Sequence, residues 1–155
     1  MKLDANAILP RLWQGRRPPM GDRLRIHGFQ ALVLCAAEHQ PDAHLFPGVE
    51  VIYAPNDDNF GQITREQIEG ALAAARQTAT LVRSGRKVIV TCWAGINRSG
   101  LVSAIALHLL TGWSGVACIR HVKGARPGAL RNPAFQEVLC RLNRRDGSAP
   151  SSVIA

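Results

Sequence analysis

One short stretch of this chain has the residue types and spacing to do chemistry: Thr91-Cys92-Trp93-Ala94-Gly95-Ile96-Asn97-Arg98-Ser99-Gly100. A cysteine ends a strand-like run, five residues follow, and an arginine then opens an apolar helical run. A tight loop entering a helix turns successive backbone N–H groups inward and makes an anion nest. The helix N-terminus adds about half a positive charge. A phosphate seated there meets donors from Trp93, Ala94, Gly95, Ile96, Asn97 and Arg98. The planar Arg98 guanidinium can grip two phosphate oxygens at once. Cys92 then lies beneath the phosphorus, in line for attack, in surroundings that favour the thiolate. Ser99 is placed to hydrogen-bond that sulfur and to assist its later departure.

A leaving alkoxide or phenoxide needs a proton. Asp57 and Asp58 lie in an exposed acidic loop after a neighbouring strand, and both can reach the mouth of the site. Asp57 is the favoured acid; once deprotonated, it can activate the water that hydrolyses a cysteinyl-phosphate. A cysteine and an arginine at this spacing recur by chance. The strand before them, the glycines at 95 and 100 and the apolar helix after them make the pattern specific. A nucleotide-binding P-loop is the nearest rival, but no Lys-Ser or Lys-Thr follows Gly100.

The elements that must hold these residues alternate strand and helix. Leu12-Trp13-Gln14 reads as a short strand, and residues 21–27 as a short helix stopped by Gly28. Ala31 to Cys35 and Val49 to Ala54 read as interior strands, the first buried on both faces. Thr64-Arg65-Glu66-Gln67 has capping-box spacing. Ile68, Leu72, Ala75, Ala79 and Val82 give the helix that follows one apolar face, and Gly85 ends it. Lys87 to Thr91 is a third strand with a β-branched core. The helix over 99–110 is apolar almost all round, so it is central, and Gly112 stops it. Ser114 caps a helix through Val122. Asn132-Pro133 opens the last helix, with Phe135, Val138, Leu139 and Leu142 as its buried stripe. This alternation predicts an α/β single domain with a mostly parallel central sheet flanked by helices. Ligands of such sheets bind beyond the carboxyl ends of the strands, where Cys92 falls.

The 155 residues, 46% apolar and 19% charged, fit one packed core. No uncharged apolar run spans a bilayer, and the N-terminus lacks the apolar stretch of a secretory signal, so the expected compartment is the cytosol. The formal charge of +8 attracts anions of any kind. The four cysteines, Cys35, Cys92, Cys118 and Cys140, form no C-x-x-C pair, which leaves zinc and thioredoxin-like chemistry without support. Cys118 and Cys140 read as small buried hydrophobes in helices.

Cys92 to Ser99, with its Ala-Gly pair, resembles the signature loop of the dual-specificity protein phosphatases, a branch of the cysteine-dependent protein tyrosine phosphatase superfamily. The likeness extends further. Leu9 to Gly15 is similar to the opening strand of these domains, and Asn56-Asp57-Asp58-Asn59-Phe60 to their general-acid loop. Gly112-Trp113-Ser114, Arg126 to Leu130 and Asn132 to Phe135 are similar to their C-terminal part. The resemblance implies a catalytic domain over 1–145, a flexible tail over 146–155, no cofactor and no metal. It also implies phosphomonoester hydrolysis through a cysteinyl-phosphate, with phosphotyrosine and also phosphoserine or phosphothreonine as substrates. The expected partner is a phosphorylated protein or peptide, and a monomer is the default.

One departure stands out: the family's histidine before the nucleophile is Thr91 here, whose hydroxyl can replace one hydrogen bond. The loop positions Trp93, Ile96 and Asn97 are not basic, unlike those of phosphoinositide phosphatases, which favours phosphoprotein. Asn97 before the arginine resembles RNA 5′-triphosphatases, the alternative enzyme class. A phosphate-binding pseudophosphatase is the non-enzyme alternative. Leu34-Cys35-Ala36-Ala37-Glu38 resembles the stretch holding the backdoor cysteine of phosphoinositide phosphatases, which implies Cys35 as a candidate redox partner of Cys92.

Overall fold

The computed structural model describes residues 2–144. The tail expected over 146–155 lies outside them. Five strands and five helices occur in the order β1 (Ala5–Leu9), β2 (Leu12–Gly15), α1 (Arg23–Ile26), β3 (Ala31–Ala36), β4 (Glu50–Asn56), α2 (Arg65–Arg83), β5 (Val88–Thr91), α3 (Arg98–Thr111), α4 (Gly115–Ala125) and α5 (Pro133–Cys140). A 3-10 turn, Ala43–Leu45, interrupts the loop before β4. The sheet runs β1-β2-β5-β3-β4. The β1–β2 hairpin is antiparallel; every other pairing is parallel. The α/β fold with a mostly parallel central sheet is therefore the observed one.

Period-two alternation explains why the middle strands are apolar throughout. In β3, Ala31, Val33 and Cys35 face the larger core under α2–α5, while Leu32 and Leu34 face a smaller one with Leu24, Phe29 and Phe46. In β5, Val88 and Val90 take the first side and Ile89 the second. Register sets Leu34 beside Thr91, so Cys35 in β3 and Cys92, the first residue past β5, each follow directly on that pair.

The helix signals act as read. Thr64 Oγ1 accepts from Gln67 N–H at 3.1 Å and Gln67 Oε1 accepts from Thr64 N–H at 2.8 Å, a complete capping box. At the other end Gly85 is left-handed, and Arg86 N–H and Gly85 N–H bond Leu81 and Val82 carbonyls, the Schellman pattern. Every residue of α3 is buried except the half-buried Leu109, as its sequence requires. Among the described residues no helix is long and apolar enough to cross a membrane.

Three expectations are corrected, on β4, α2 and Cys140, and one strand, β1, has no counterpart in the sequence reading. β4 is an edge strand, not an interior one, and it exposes Glu50, Tyr53 and Pro55; a proline inside a strand belongs at an edge because it cannot donate to the ladder. β1 has no β-branched pattern over Ala5-Asn6-Ala7 and exists because β2 pairs with it. The inner face of α2 is rotated from the one expected. It buries Ala71, Ala74, Ala75, Thr78, Ala79 and Val82, with Ile68 and Leu72 only partly covered, because small residues let α2 lie close against α3. Cys140 is exposed, not buried.

Candidate active site

The loop between β5 and α3 leaves the carboxyl end of the sheet and is held from outside by its carbonyl groups. Trp93 O accepts from Arg17 N–H at 3.4 Å. Ala94 O accepts from Arg126 Nη2 at 3.1 Å. Gly95 O accepts from Arg126 Nε at 2.6 Å and Gln14 Nε2 at 3.0 Å. Ile96 O accepts from Leu130 N–H at 2.9 Å. In a trans peptide, C=O and N–H point in opposite directions, and the described residues contain no cis bond. Four carbonyls drawn outward therefore turn the amides of Ala94, Gly95, Ile96 and Asn97 inward. No hydrogen bond from the amides of Trp93 to Arg98 to another described residue is formed. That is a nest with its donors uncommitted.

Gly95 makes the turn possible. Its φ is +73°, and an added Cβ would sit 2.5 Å from Gly15 C and 2.6 Å from Arg16 N. No side chain fits there.

Cys92 lies at the floor, buried, with its Sγ 3.2 Å from Ser99 Oγ. Arg98 is buried at the start of α3, and Glu38 holds its guanidinium by two contacts, Nη2 to Oε1 at 2.6 Å and Nη1 to Oε2 at 2.7 Å. Nη1 also donates to Asn56 O at 3.0 Å, while Nε is buried with no partner among the described residues. Burial works against the Arg98 charge, but the Glu38 carboxylate, with Cys92 and Asp58 nearby, holds it above its ordinary value. The hydrogen bond from Arg98 in turn holds Glu38 below the usual carboxylate range. An unpartnered buried N–H on a fixed cation is a donor waiting for an anion.

At the rim, the Arg17 guanidinium lies 3.5 Å from the centroid of the exposed Trp93 ring, and His39 meets that ring edge-on at 6.0 Å. Asp57 and Asp58 follow β4 and differ sharply. Asp58 accepts from Asn97 Nδ2 at 2.9 Å and from Asn132 Nδ2 at 2.8 Å. The exposed Asp57 carboxylate has no hydrogen bond or ion pair with a described residue.

Among solved structures, the chain is similar to Tk-PTP in its active form, with 30% identity and a TM-score of 0.77 over 94% of this chain and 99% of that one. A mouse protein assigned as a dual specificity phosphatase, complexed with zinc tungstate, aligns at 27% identity and a TM-score of 0.74, over 90% of this chain and 86% of that one. The chain belongs to the dual-specificity phosphatase family. Human DUSP28 aligns at 27% identity and a TM-score of 0.72, over 90% of this chain and 92% of that one. No protein-family model and no curated protein matches the sequence.

Against that family pattern, the residues singled out in the sequence, Cys92, Arg98, Ser99, Asp57 and the 93–97 loop, converge on one end of the sheet. Cys35 is wholly buried beside the Cys92 position. Burial pushes its thiol well up, the Cys92 charge adds to the rise and Arg98 opposes it. Burial likewise pushes the Cys118 thiol up to about 12, with Thr111 opposing. Thr91 does not stand in for the family histidine, because its hydroxyl donates to Val33 O at 3.1 Å across the sheet. Asn97 is occupied too: its Oδ1 accepts from Arg131 and Asn132 N–H. The sequence reading gave no role to Glu38, Gln14 or Arg126. Glu38 stands in the stretch quoted for Cys35, Arg126 in the family-like Arg126 to Leu130 and Gln14 in the family-like Leu9 to Gly15, so all three had a signal.

Proposed function

We propose that this protein is a phosphomonoester hydrolase acting on phosphotyrosine, and also on phosphoserine or phosphothreonine, in a protein or peptide. The observation that carries the reading is the nest of uncommitted amides over the Cys92–Ser99 pair, closed by an Arg98 whose Nε has no partner among the described residues. The Cys92 thiolate attacks phosphorus while the amides and Arg98 hold the phosphoryl oxygens. The P–O bond to the leaving group breaks, and that oxygen takes the Asp57 proton. The Asp57 carboxylate then removes a proton from water, which attacks the cysteinyl-phosphate. The P–S bond breaks, and the Ser99 hydroxyl donates to the departing sulfur. Inorganic phosphate leaves. The cytosol, which keeps Cys92 reduced, is the fitting compartment, and the monomer the working unit.

The case for RNA 5′-triphosphate drew on Asn97 and the basic surface, and the Asn97 side chain is already tied to Asp58, Arg131 and Asn132, with one amide N–H left over. A phosphoinositide headgroup finds no lysine or second arginine within the loop. In the test, Cys92→Ser captures phosphoproteins from a lysate, and wild type turns over tyrosine-phosphorylated peptides in preference to triphosphate-ended RNA and phosphoinositide. Peptide binding without turnover by the wild type establishes the pseudophosphatase instead.

Cys35 supports a redox safeguard. Peroxide converts the Cys92 thiolate to a sulfenic acid, and the Cys35 thiol displaces water from it to form a disulfide. Neighbouring parallel strands place Cα atoms about 4.8 Å apart, within the span a disulfide bridges. Mass spectrometry after mild peroxide shows the cross-linked peptide; its absence ends the idea.

A further inference from the structure

Asp58 sits where an acid could work, yet both of its oxygens are engaged. Asn97 Nδ2 donates to one and Asn132 Nδ2 to the other. The two amides have no freedom to turn round. Asn97 Oδ1 accepts from the Arg131 and Asn132 amides at 2.8 and 2.9 Å. Asn132 Oδ1 accepts from Ala134 N–H at 2.9 Å as the cap of α5. Each amide nitrogen is thereby left pointing at Asp58, so these orientations follow from backbone donors. Asn132 Nδ2 also reaches Asn59 O at 2.9 Å. Behind Asp58 the loop has weaker ties: Asp57 O receives only Gln67 Nε2 at 3.4 Å, and Asp57 N–H bonds its own neighbour's Oδ1.

We propose that Asp58 is a positioning residue, a latch that ties the acid loop directly to the phosphate loop and so sets Asp57 over Cys92. The inference rests on the function proposed above. Asn97 immediately precedes Arg98, so the latch references the acid to the residue beside the phosphate clamp as well as to the cap of α5. Hydrogen bonds to an ionised carboxylate are about twice as strong as neutral ones, which suits a side chain that helps hold a loop. A displaced acid costs most when the leaving group is a poor one, because only then is its proton needed to break the P–O bond.

The test compares kcat/KM, which covers the steps through P–O cleavage, on phenyl phosphate, a poor leaving group, with kcat/KM on 4-nitrophenyl phosphate, a good one. It is joined to hydrogen exchange over residues 56–63. Asp58→Ala lowers the phenyl-to-nitrophenyl ratio on the order of 10-fold and speeds exchange in 56–63 while β5 and α2 keep theirs. Asp57→Ala lowers the ratio further, by about 10²-fold, and the double variant falls no lower than Asp57→Ala alone. Asp58→Asn, which turns one acceptor into a donor at nearly the same volume, gives the same signs and serves if the alanine variant misfolds. Equal loss on both esters, an unchanged ratio, or unchanged exchange overturns the latch. So does a ratio that collapses in Asp58→Ala but not in Asp57→Ala, which makes Asp58 the acid itself. If the wild type hydrolyses neither ester, the proposed function fails, and the exchange result alone decides the latch.

Discussion

Two loops leave the carboxyl end of the sheet toward the same point, one after β5 and one after β4, and they are held in opposite ways. The loop after β5 is fixed through its backbone, with carbonyls tied by Gln14, Arg17, Arg126 and Leu130 from two other stretches of the chain. The loop after β4 is held mainly through side chains, with Asp58 taking two amide donors and Asn132 and Gln67 reaching the Asn59 and Asp57 carbonyls. A loop that must offer the same ring of amides at every step gains from main-chain anchoring, which leaves Trp93 and Ile96 free to vary. In the function proposed above, the loop after β4 gives and takes a proton, and it keeps the Asp57 carboxyl exposed beside the engaged Asp58.

The largest effect that can break this comparison is at the floor of the site. Cys92→Ser lowers kcat roughly 10⁴-fold or more while tungstate binding persists by calorimetry; comparable turnover would take the nucleophile away from Cys92. Gly95→Ala comes next. Its Cβ has no room and its φ is left-handed, so the amides turn and kcat falls about 10²-fold, with tungstate affinity lost as well. If Gly95→Ala binds tungstate like the wild type, backbone anchoring does not set the nest. Arg126→Lys, which cannot serve the Ala94 and Gly95 carbonyls together, loses on the order of 10-fold in kcat/KM. A KM and kcat like those of the wild type would show that Gln14 and Leu130 suffice.

The smallest effect sharpens the contrast through pH. Arg98 holds Glu38 below the ordinary carboxylate range, so the pair stabilises the folded state above the unfolded Glu value of about 4.3 and is lost as pH falls through the lower folded value. Glu38 is half exposed, and solvent screening leaves about 1 kcal/mol at neutral pH. Glu38→Gln therefore lowers the urea midpoint at pH 7, and the difference from the wild type narrows as pH drops through the acid range. A gap that stays constant with pH would assign the loss to packing instead.

What could be read from the chain depended on distance along it. Cys92, Arg98 and Ser99 stand within one loop and helix turn, so their spacing carried their geometry. The capping box at Thr64, the stop at Gly85 and the cap at Asn132 were equally legible, because each is a contact over three or four positions. The engagement of Asp58 was not, since it depends on Asn97 and Asn132, 39 and 74 positions from Asp58. Likewise Glu38 meets Arg98 across 60 residues, and Gln14 meets Gly95 across 81.

By itself, then, the sequence determined the loop from Cys92 to Arg98, the order of the elements from β2 onward, and the buried helix behind that loop, because local periodicity and short-range hydrogen bonds decide those. Only the tertiary structure decided that β4 lies at the edge, that Thr91 bonds the sheet instead of the loop, and which donors turn the nest inward. Those outcomes depend on which distant segments share a sheet edge or a carbonyl, and chain closure, not local propensity, sets that.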